Sequence, residues 1–213
     1  MATISKGILG GFSGKVGTVV GASWRGKDII RSRPKATQRI PTDRQLLQQM
    51  KFSMVSRFLQ PLKGIQNRFF GIKSGDRSRV NMAASYTMRE AVEVIDNIPE
   101  LAFSKVLITK GDLTGFQNIS ATALRNSQLK IQWEDNSAQG SASATDLVSV
   151  VCFSNDLNMF EIYEDLVPRS GVTTEVTLPS YLAGEEVQVW AYLHNKKQTT
   201  ASNSFYLGAH TVL

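Results

Sequence analysis

Hydrophobic and polar positions alternate with a period of two near the start of the chain. Lys15–Trp24 and Asp28–Arg33 both show this pattern, with the residues Arg25–Lys27 between them and Pro34 after them. Short extended segments on either side of a glycine-containing turn predict a β-hairpin. The segment is rich in glycine and poor in large apolar residues. Because a lone hairpin is marginally stable in water, we expect it to pack on the rest of the chain or on a neighbouring copy.

After residue 42 the apolar positions recur at helical spacing. Thr42 and Gln45 have the spacing of a capping box, which predicts a helix N-terminus, and Pro61 ends or kinks that helix. The stripe predicted to face the core consists of Leu47, Met50, Met54, Phe58 and Leu62. The other face is basic and rich in glutamine. It either contacts a phosphate backbone or is a solvated surface.

A second helix is predicted between residues 81 and 98, where Pro99 stops it. Its predicted buried stripe consists of Met88, Ala91, Val92 and Ile95. The residues between the two helices are basic and contain glycines. We expect Phe69 and Phe70 to anchor them to a core.

From Leu101 onwards, short alternating segments are separated by turn-rich pieces, which predicts an antiparallel β-sandwich. The predicted strands are 103–110, 128–134, 147–154, 158–164, 173–178, 186–194 and 202–207. Trp133, on an inner strand, is typical of immunoglobulin-like and fibronectin-type-III-like sandwiches. Since Cys152 is the only cysteine, the paired cysteines of antibody domains are missing and fibronectin type III is the closer analogy. The predicted fold is therefore α+β and mainly β, with a basic hairpin and two helices (1–99) before the sandwich (100–213).

One predicted strand, Glu186–His194, is apolar on both faces. The face predicted to enter the core consists of Val187, Val189, Ala191 and Leu193. The opposite face carries Trp190 and Tyr192. These two aromatics either form a surface contact patch or pack under a loop or the helices.

Charge divides the chain into a basic and an acidic part. Residues 1–80 contain 16 Lys and Arg against three acidic residues, a net charge of +13, whereas residues 81–213 contain eight against 15, a net charge of −7. The basic part suits a polyanion such as nucleic acid. Alternatively, the basic end of one copy meets the acidic end of another in a head-to-tail assembly.

No catalytic set is evident in the sequence. The run GGFSGKVGTVVG contains a Gly-Lys pair, Gly14 and Lys15, as phosphate-binding loops do. Such a loop would also need a glycine at position 9 and a hydroxyl residue at position 16, where this chain has Leu9 and Val16. The chain contains two histidines, and Cys152 alternates with valines as a buried, inert thiol would. We therefore expect no enzyme activity, no cofactor and no metal. Without a convincing secretory signal or a membrane span, we expect cytoplasmic synthesis, with packaging into a particle left open.

The opening of the chain resembles a known family. The runs GILGGFSGKVGTVVGASWRGKDIIRSRPK and PTDRQLLQQMKF, the later WEDNS and the closing strands are similar to an uncharacterised family that is widespread in Bacteroidota. The resemblance covers most of the chain and implies no established activity. The N-terminal pattern is also similar, more loosely, to small structural proteins of tailed phages and prophages.

These observations favour a non-enzymatic structural protein that self-associates through its N-terminal hairpin, as a homo-oligomer or larger assembly, in a phage-like or filamentous particle. The predicted contact residues are Val19, Val20, Trp24, Ile29, Ile30, Arg31 and Arg33. The alternative is nucleic-acid binding, for which the further phosphate contacts are Lys27, Lys35, Arg39, Arg44 and Lys51. A third hypothesis is a carbohydrate- or protein-binding sandwich module that uses Trp190 and Tyr192.

Overall fold

A computed structural model describes residues 2–3, 13–24, 26–35, 40–72 and 77–213. The chain divides into two compact units, Met1–Thr42 and Asp43–Leu213. The predicted boundary between residues 99 and 100 falls inside the second unit.

The first unit contains an antiparallel sheet with the strand order β1-β4-β3-β2. Its strands are β1 (Ala2–Thr3), β2 (Gly14–Val16), β3 (Val19–Trp24) and β4 (Lys27–Ser32). The predicted hairpin is confirmed as β3 and β4, in which Trp24 pairs with Lys27. The prediction of one continuous strand over Lys15–Trp24 is wrong, because the chain turns at Gly17 and Thr18 and Val16 pairs with Val19. Gly17 has a φ of +57°, a left-handed conformation that glycine adopts without steric penalty.

The second unit begins with three helices in the described part of the chain. They are α1 (Asp43–Leu59), α2 (Lys63–Phe69) and α3 (Arg79–Tyr86), and a π-helical turn, Thr87–Ala91, continues α3. The first predicted helix is confirmed, and Phe69 and Phe70 are buried as expected. Its predicted stripe is wrong at Met50, which is exposed, because α1 turns Val55, Phe58 and Leu59 towards the core.

A β-hairpin replaces the second half of the second predicted helix. β5 (Val92–Ile95) and β6 (Ile98–Leu101) pair antiparallel across Asp96 and Asn97. Both turn residues have positive φ, 49° and 64°, as a two-residue hairpin turn requires. The β-branched residues around this turn favour the strand over the helix. Ile95, predicted to be buried on a helix, is exposed at the hairpin tip.

Seven strands form the sandwich. They are β7 (Gln117–Leu124), β8 (Gln128–Glu134), β9 (Leu147–Ser154), β10 (Met159–Tyr163), β11 (Thr173–Thr177), β12 (Glu186–His194) and β13 (Phe205–Thr211). One sheet has the order β10-β9-β12-β13 and the other has the order β11-β8-β7. The prediction missed β7, and its strand at 103–110 is wrong. That segment contains a short 3₁₀ turn, Phe103–Lys105, and a single bridge between Lys110 and Phe70.

Two hydrophobic cores cover the two faces of the four-stranded sheet. Between the sheets, residues such as Ile131, Val150 and Val189 form the sandwich core. On the outer face, Phe153 and Trp190 pack against residues of α1, α2 and the π-helical turn. The second unit therefore has three layers, with the four-stranded sheet in the middle.

A buried ion pair ties together the loops of the sandwich. The Arg169 guanidinium lies 3.1 Å from a carboxylate oxygen of Asp146, and both side chains are almost fully buried. Its remaining N–H groups donate to Asn136 and to the carbonyls of Thr114 and Gly115. Every donor of the arginine is thus satisfied, which is the condition for a buried charge to be tolerated.

Candidate self-association surface

The strand register sorts the side chains of the N-terminal sheet onto two faces. Directly paired residues of an antiparallel sheet lie on the same face. Lys15, Val20 and Arg31 pair across three strands, and Trp24 and Lys27 lie on this same face. We call it the basic face. Ile29 and Ala22 also belong to it.

The opposite face is nearly uncharged. Val16 and Val19 pair there, as do Gly21 and Ile30, and the acidic residue on it is Asp28 at one end. The predicted contact residues Val19 and Ile30 therefore lie on this second face, whereas Val20, Trp24, Ile29 and Arg31 lie on the basic face. Arg33 follows β4 and is exposed.

The described part of the sheet leaves two large apolar side chains exposed and three, Val19, Val20 and Ile30, half-buried. Among the described residues of the first unit, Ile29 is the one large apolar side chain that is buried. Trp24 is 52% exposed and Val16 is 60% exposed. The unit spans 42 residues. This is close to the size of about 40 residues below which domains usually need a disulfide, a metal or a partner.

The predicted phosphate contacts are divided between the two units. Lys27 is on the basic face, and Lys35 follows β4 as an exposed residue. Arg44 and Lys51 belong to α1, in the second unit. Arg39 lies outside the described residues.

The surface aromatic patch is absent at its predicted position. Trp190 and Tyr192 are completely buried, since α1 and α2 cover the outer face of β12. Trp190 packs edge-on against Phe58 with ring centroids 6.4 Å apart, and Tyr192 contacts Phe69 at 6.0 Å. The surface interpretation is wrong, and the alternative that the helices cover these residues is confirmed. The binding-module hypothesis relied on Trp190 and Tyr192 as surface contacts, and neither side chain is accessible to a ligand.

A second surface was missed by the sequence reasoning. An apolar groove of about 660 Å³ lies between α1, the β5–β6 hairpin and the β9–β10 turn, within the second unit. Its lining combines apolar side chains, such as Met50, Met54, Ile98 and Phe103, with the polar side chains of Ser53, Arg57, Glu100, Asn155 and Asn158. We call it the apolar groove after the aromatic rings at its floor. The alternating VEVI and IPEL on either side of Asp96 and Asn97 was the signal that could have revealed the hairpin.

A polar cluster joins α2 to the sandwich. Arg68 pairs with Glu164 and donates to the side-chain oxygen of Gln198 at 2.8 Å. Nε2 of His194 lies 2.8 Å from a carboxylate oxygen of Asp165, and Nδ1 lies 3.0 Å from a backbone carbonyl. The side chain of His194 is buried. Both ring nitrogens are engaged, so this cluster positions α2.

The thiol of Cys152 is buried in the sandwich core. Burial, with a smaller contribution from Glu161, raises the pKa of Cys152 to about 12. The expectation of a buried thiol is confirmed, and at neutral pH it is protonated and unreactive. In the described ranges, no three His, Cys, Asp or Glu residues lie close enough to hold a metal. No helix in the described part of the chain is long and apolar enough to cross a membrane.

The two sheets, one of four strands and one of three, define an immunoglobulin- or fibronectin-III-like β-sandwich that carries a helical layer on its outer face. The chain belongs to the family of unknown function DUF6266, whose profile matches residues 11–208. A comparison with the curated proteins finds no match.

Solved fibronectin type III domains are similar to the sandwich. The fn3 domain of human collagen alpha-1(XX) chain is 12% identical, with 47% of this chain and 86% of that one covered, at a TM-score of 0.35. The fn3 domain of human contactin 1 is 7% identical, with 49% and 83% covered, at a TM-score of 0.35. The FN5 domain of Drosophila Lar is 10% identical, with 44% and 91% covered, at a TM-score of 0.27.

Proposed function

We propose that the protein is a non-enzymatic structural component that self-associates through its N-terminal sheet. The observation that carries the proposal is the uncovered apolar surface of that sheet, where Ile29 is the one buried large side chain among the described residues. Trp24 and Val16 remain exposed on opposite faces. A second copy would remove this surface from water, and that transfer supplies most of the driving force for association.

The basic face supplies the polar part of the contact. On that face Lys27 pairs with Trp24, and Lys15 and Arg31 lie on either side of Val20. An aromatic side chain among cations is a common arrangement at interfaces, because Trp supplies apolar area and the charges select the partner. Residues 81–213, which have a net charge of −7, provide acidic side chains for this contact in a neighbouring copy.

The test is the variant Trp24→Ala/Ile30→Asp, which removes apolar area from one face and places a charge on the other. We expect the assembled species to be lost in sedimentation velocity, with the circular dichroism of the sandwich unchanged. A matched control is Val172→Asp, because Val172 is an exposed apolar residue of the second unit with a left-handed φ of 53° that Asp tolerates. Unchanged assembly of the Trp24/Ile30 variant would overturn the proposal.

Ile30 is half-buried in the sheet, so a second variant separates lost contacts from lost folding. Arg31→Glu/Arg33→Glu changes two exposed residues and removes no apolar contact. We expect its assembly to weaken about tenfold or more at low salt, because the charges now oppose an acidic partner. Wild-type behaviour of both variants would leave the N-terminal sheet with no role in association.

Nucleic-acid binding is the second candidate, and three cations on one face of the sheet favour it, with Lys27 paired to Trp24 and with Lys15 and Arg31 on either side of Val20. Phosphates would meet the cations and a base could stack on the indole ring. Fluorescence anisotropy with a labelled 20-nucleotide single strand tests this function. Neutralisation of about three phosphates predicts a slope of log affinity against log salt of about −2. Lys27→Ala should reduce that slope by about one, and no measurable binding at 50 mM salt would exclude this candidate.

A role in a particle is the most specific form of the proposal. The support for it is the loose similarity of the N-terminal pattern to phage structural proteins together with the uncovered sheet. Electron microscopy of the assembled species tests it directly, because a filament, ring or shell shows a regular repeat. Irregular aggregates without a repeat would argue against a particle component.

A further inference from the structure

We propose that the apolar groove between α1 and the β5–β6 hairpin is the acceptor for the N-terminal sheet of a second copy. This inference rests on the proposed function and names the surface to which the sheet binds. The groove lies entirely in the second unit, so each copy carries both a donor sheet and an acceptor groove.

The groove has the size and chemistry of a docking surface. Its volume is about 660 Å³, and its floor includes the aromatic rings of Phe58, Phe103 and Phe153. Phe58 and Phe153 pack edge-on at 5.1 Å, and Phe103 lies 5.8 Å from Phe153. The floor is therefore apolar, which is the usual character of the centre of a protein interface.

The elements that border the groove carry further exposed apolar side chains. They lie on α1, on the hairpin, in the β9–β10 turn and at the start of β10, and comprise Leu46, Met50, Ile95, Ile98, Leu157 and Met159. Scattered single apolar residues are normal on a protein surface, but an apolar groove with apolar residues on its rim marks an interaction site.

Charge identifies the occupant. The hairpin sequence VEVIDNIPEL contains three acidic residues and no basic residue. Glu100 lines the groove, Asp96 is in the hairpin turn and Asp156 is in the β9–β10 turn. Lys105 pairs with Glu93 at 2.6 Å, and Arg57 is the basic residue of the lining. The side of the groove formed by the hairpin and the β9–β10 turn is thus acidic, whereas the α1 side carries Arg57.

The basic face of the N-terminal sheet has the matching composition. Residues 13–35 contain six basic residues and one acidic residue, a net charge of +5. On the basic face Lys27 pairs with Trp24, and Lys15 and Arg31 flank Val20, so Trp24 can enter the groove while the cations meet the acidic side chains of the hairpin. Complementary charge sets orientation and raises the association rate.

Donor and acceptor differ in sequence, so the contact is heterologous. A heterologous contact repeats from copy to copy and produces a ring or an open filament. An isologous sheet-to-sheet dimer would instead stop at two copies. The two arrangements therefore predict different behaviour when donor and acceptor are damaged in separate chains.

The experiment mixes two full-length variants. The acceptor variant is Ile98→Asp, at an exposed position of the hairpin, and the donor variant is Trp24→Ala/Ile30→Asp. Each variant alone should be monomeric by light scattering. Their equimolar mixture should form a one-to-one heterodimer that does not extend, since the intact sheet of one binds the intact groove of the other. Val172→Asp is the control and should assemble as the wild type does.

A charge exchange keeps the test valid if Ile98→Asp perturbs the hairpin. Glu100→Lys should weaken assembly at low salt about tenfold, and Arg31→Glu in the mixed partner should restore it. Wild-type assembly of both groove variants would overturn the acceptor and leave the proposed function standing. Loss of assembly without heterodimer formation or charge rescue would also overturn the acceptor. A monomeric wild-type chain under all conditions would overturn both proposals.

Discussion

Arg169 shows how a single buried residue stabilises the loops of the sandwich. Its guanidinium joins Asp146, Asn136 and two carbonyl groups, and Trp133 Nε1 donates to its backbone carbonyl at 2.7 Å. This is a structural network, because every donor of the arginine is used within the fold.

Arg169→Ala should lower the free energy of unfolding by about 3–5 kcal/mol, because it leaves the carboxylate of Asp146 buried without its partner. Urea denaturation measures this loss. The double variant Arg169→Leu/Asp146→Leu is the control and should lose less, since it removes both charges. A loss below about 1 kcal/mol for the single variant, the value typical of an exposed ion pair, would show that the network contributes little.

Cys152 and Tyr163 predict a loss of stability at alkaline pH. Burial raises the pKa of Cys152 from 9.0 to about 12 and that of Tyr163 from 10.0 to about 12. The folded state therefore retains protons that the unfolded state releases. Their contribution is complete below pH 9 and is lost as the pH rises from 9 to about 12.

The measurement is the urea midpoint between pH 7 and pH 11, together with the reactivity of the thiol. We expect the midpoint to fall above pH 9, and a Cys152→Ala variant to show a smaller fall. The thiol should react with a disulfide reagent at pH 8 only after denaturation. Rapid reaction of the native protein would contradict the buried position of this residue.

Whether the burial of a side chain was predicted correctly from the sequence depended on which other element covers that side chain. Val187 and Val189 were predicted correctly because alternation identifies the face of a strand that enters the core. Alternation does not show whether a second layer covers the other face. Trp190 and Tyr192 are buried because α1 and α2 lie over β12, and that contact joins segments distant in the sequence.

Gly111 and Gly115 lie in the segment that precedes β7, and they differ in how closely neighbouring atoms pack against them. A Cβ on Gly111 would overlap the backbone carbonyl oxygen of Ala201, which accepts a hydrogen bond from the Leu113 N–H at 3.2 Å. Gly115 has open space at the same position. Gly111→Ala should therefore cost about 1–3 kcal/mol of stability, whereas Gly115→Ala should be neutral. Thermal unfolding compares the two, and equal melting temperatures would refute the overlap.

The β5–β6 hairpin shows where periodicity fails for an element. Met88, Ala91, Val92 and Ile95 fit a helical stripe, and α3 with its π-helical turn does follow that period as far as Ala91. Beyond this point the chain turns at Asp96 and Asn97 in the left-handed conformation. The β-branched residues of this segment favour a strand over a helix. The turn at Asp96 and Asn97 then makes the segment a hairpin.

At the scale of the molecule, the sequence divides into a basic and an acidic part, and the structure shows how charged side chains are arranged within each unit. The three cations on β2 and β4 share one face of the N-terminal sheet, a fact that follows from the register and is invisible in a count of charges. The acidic hairpin borders an apolar groove. The strand order and the layers of the second unit depend on contacts between distant segments, which periodicity does not specify.

Assembly through these two surfaces should depend on both salt and apolar area. Salt screens the charged rim, with a Debye length of about 10 Å at 0.1 M, so association should slow as salt rises. The apolar contact persists under the same conditions. Weakening without complete loss at high salt is therefore the expected behaviour.

Light scattering on a sizing column, with absorbance at 260 and 280 nm, tests self-association most directly. The full chain is measured over a hundredfold range of concentration at low and high salt. We predict a protein-only species larger than a dimer that grows with concentration and shrinks as salt rises. A monomer at every concentration, or a monomer that carries nucleic acid at low salt and releases it at high salt, would contradict self-association as the function of this protein.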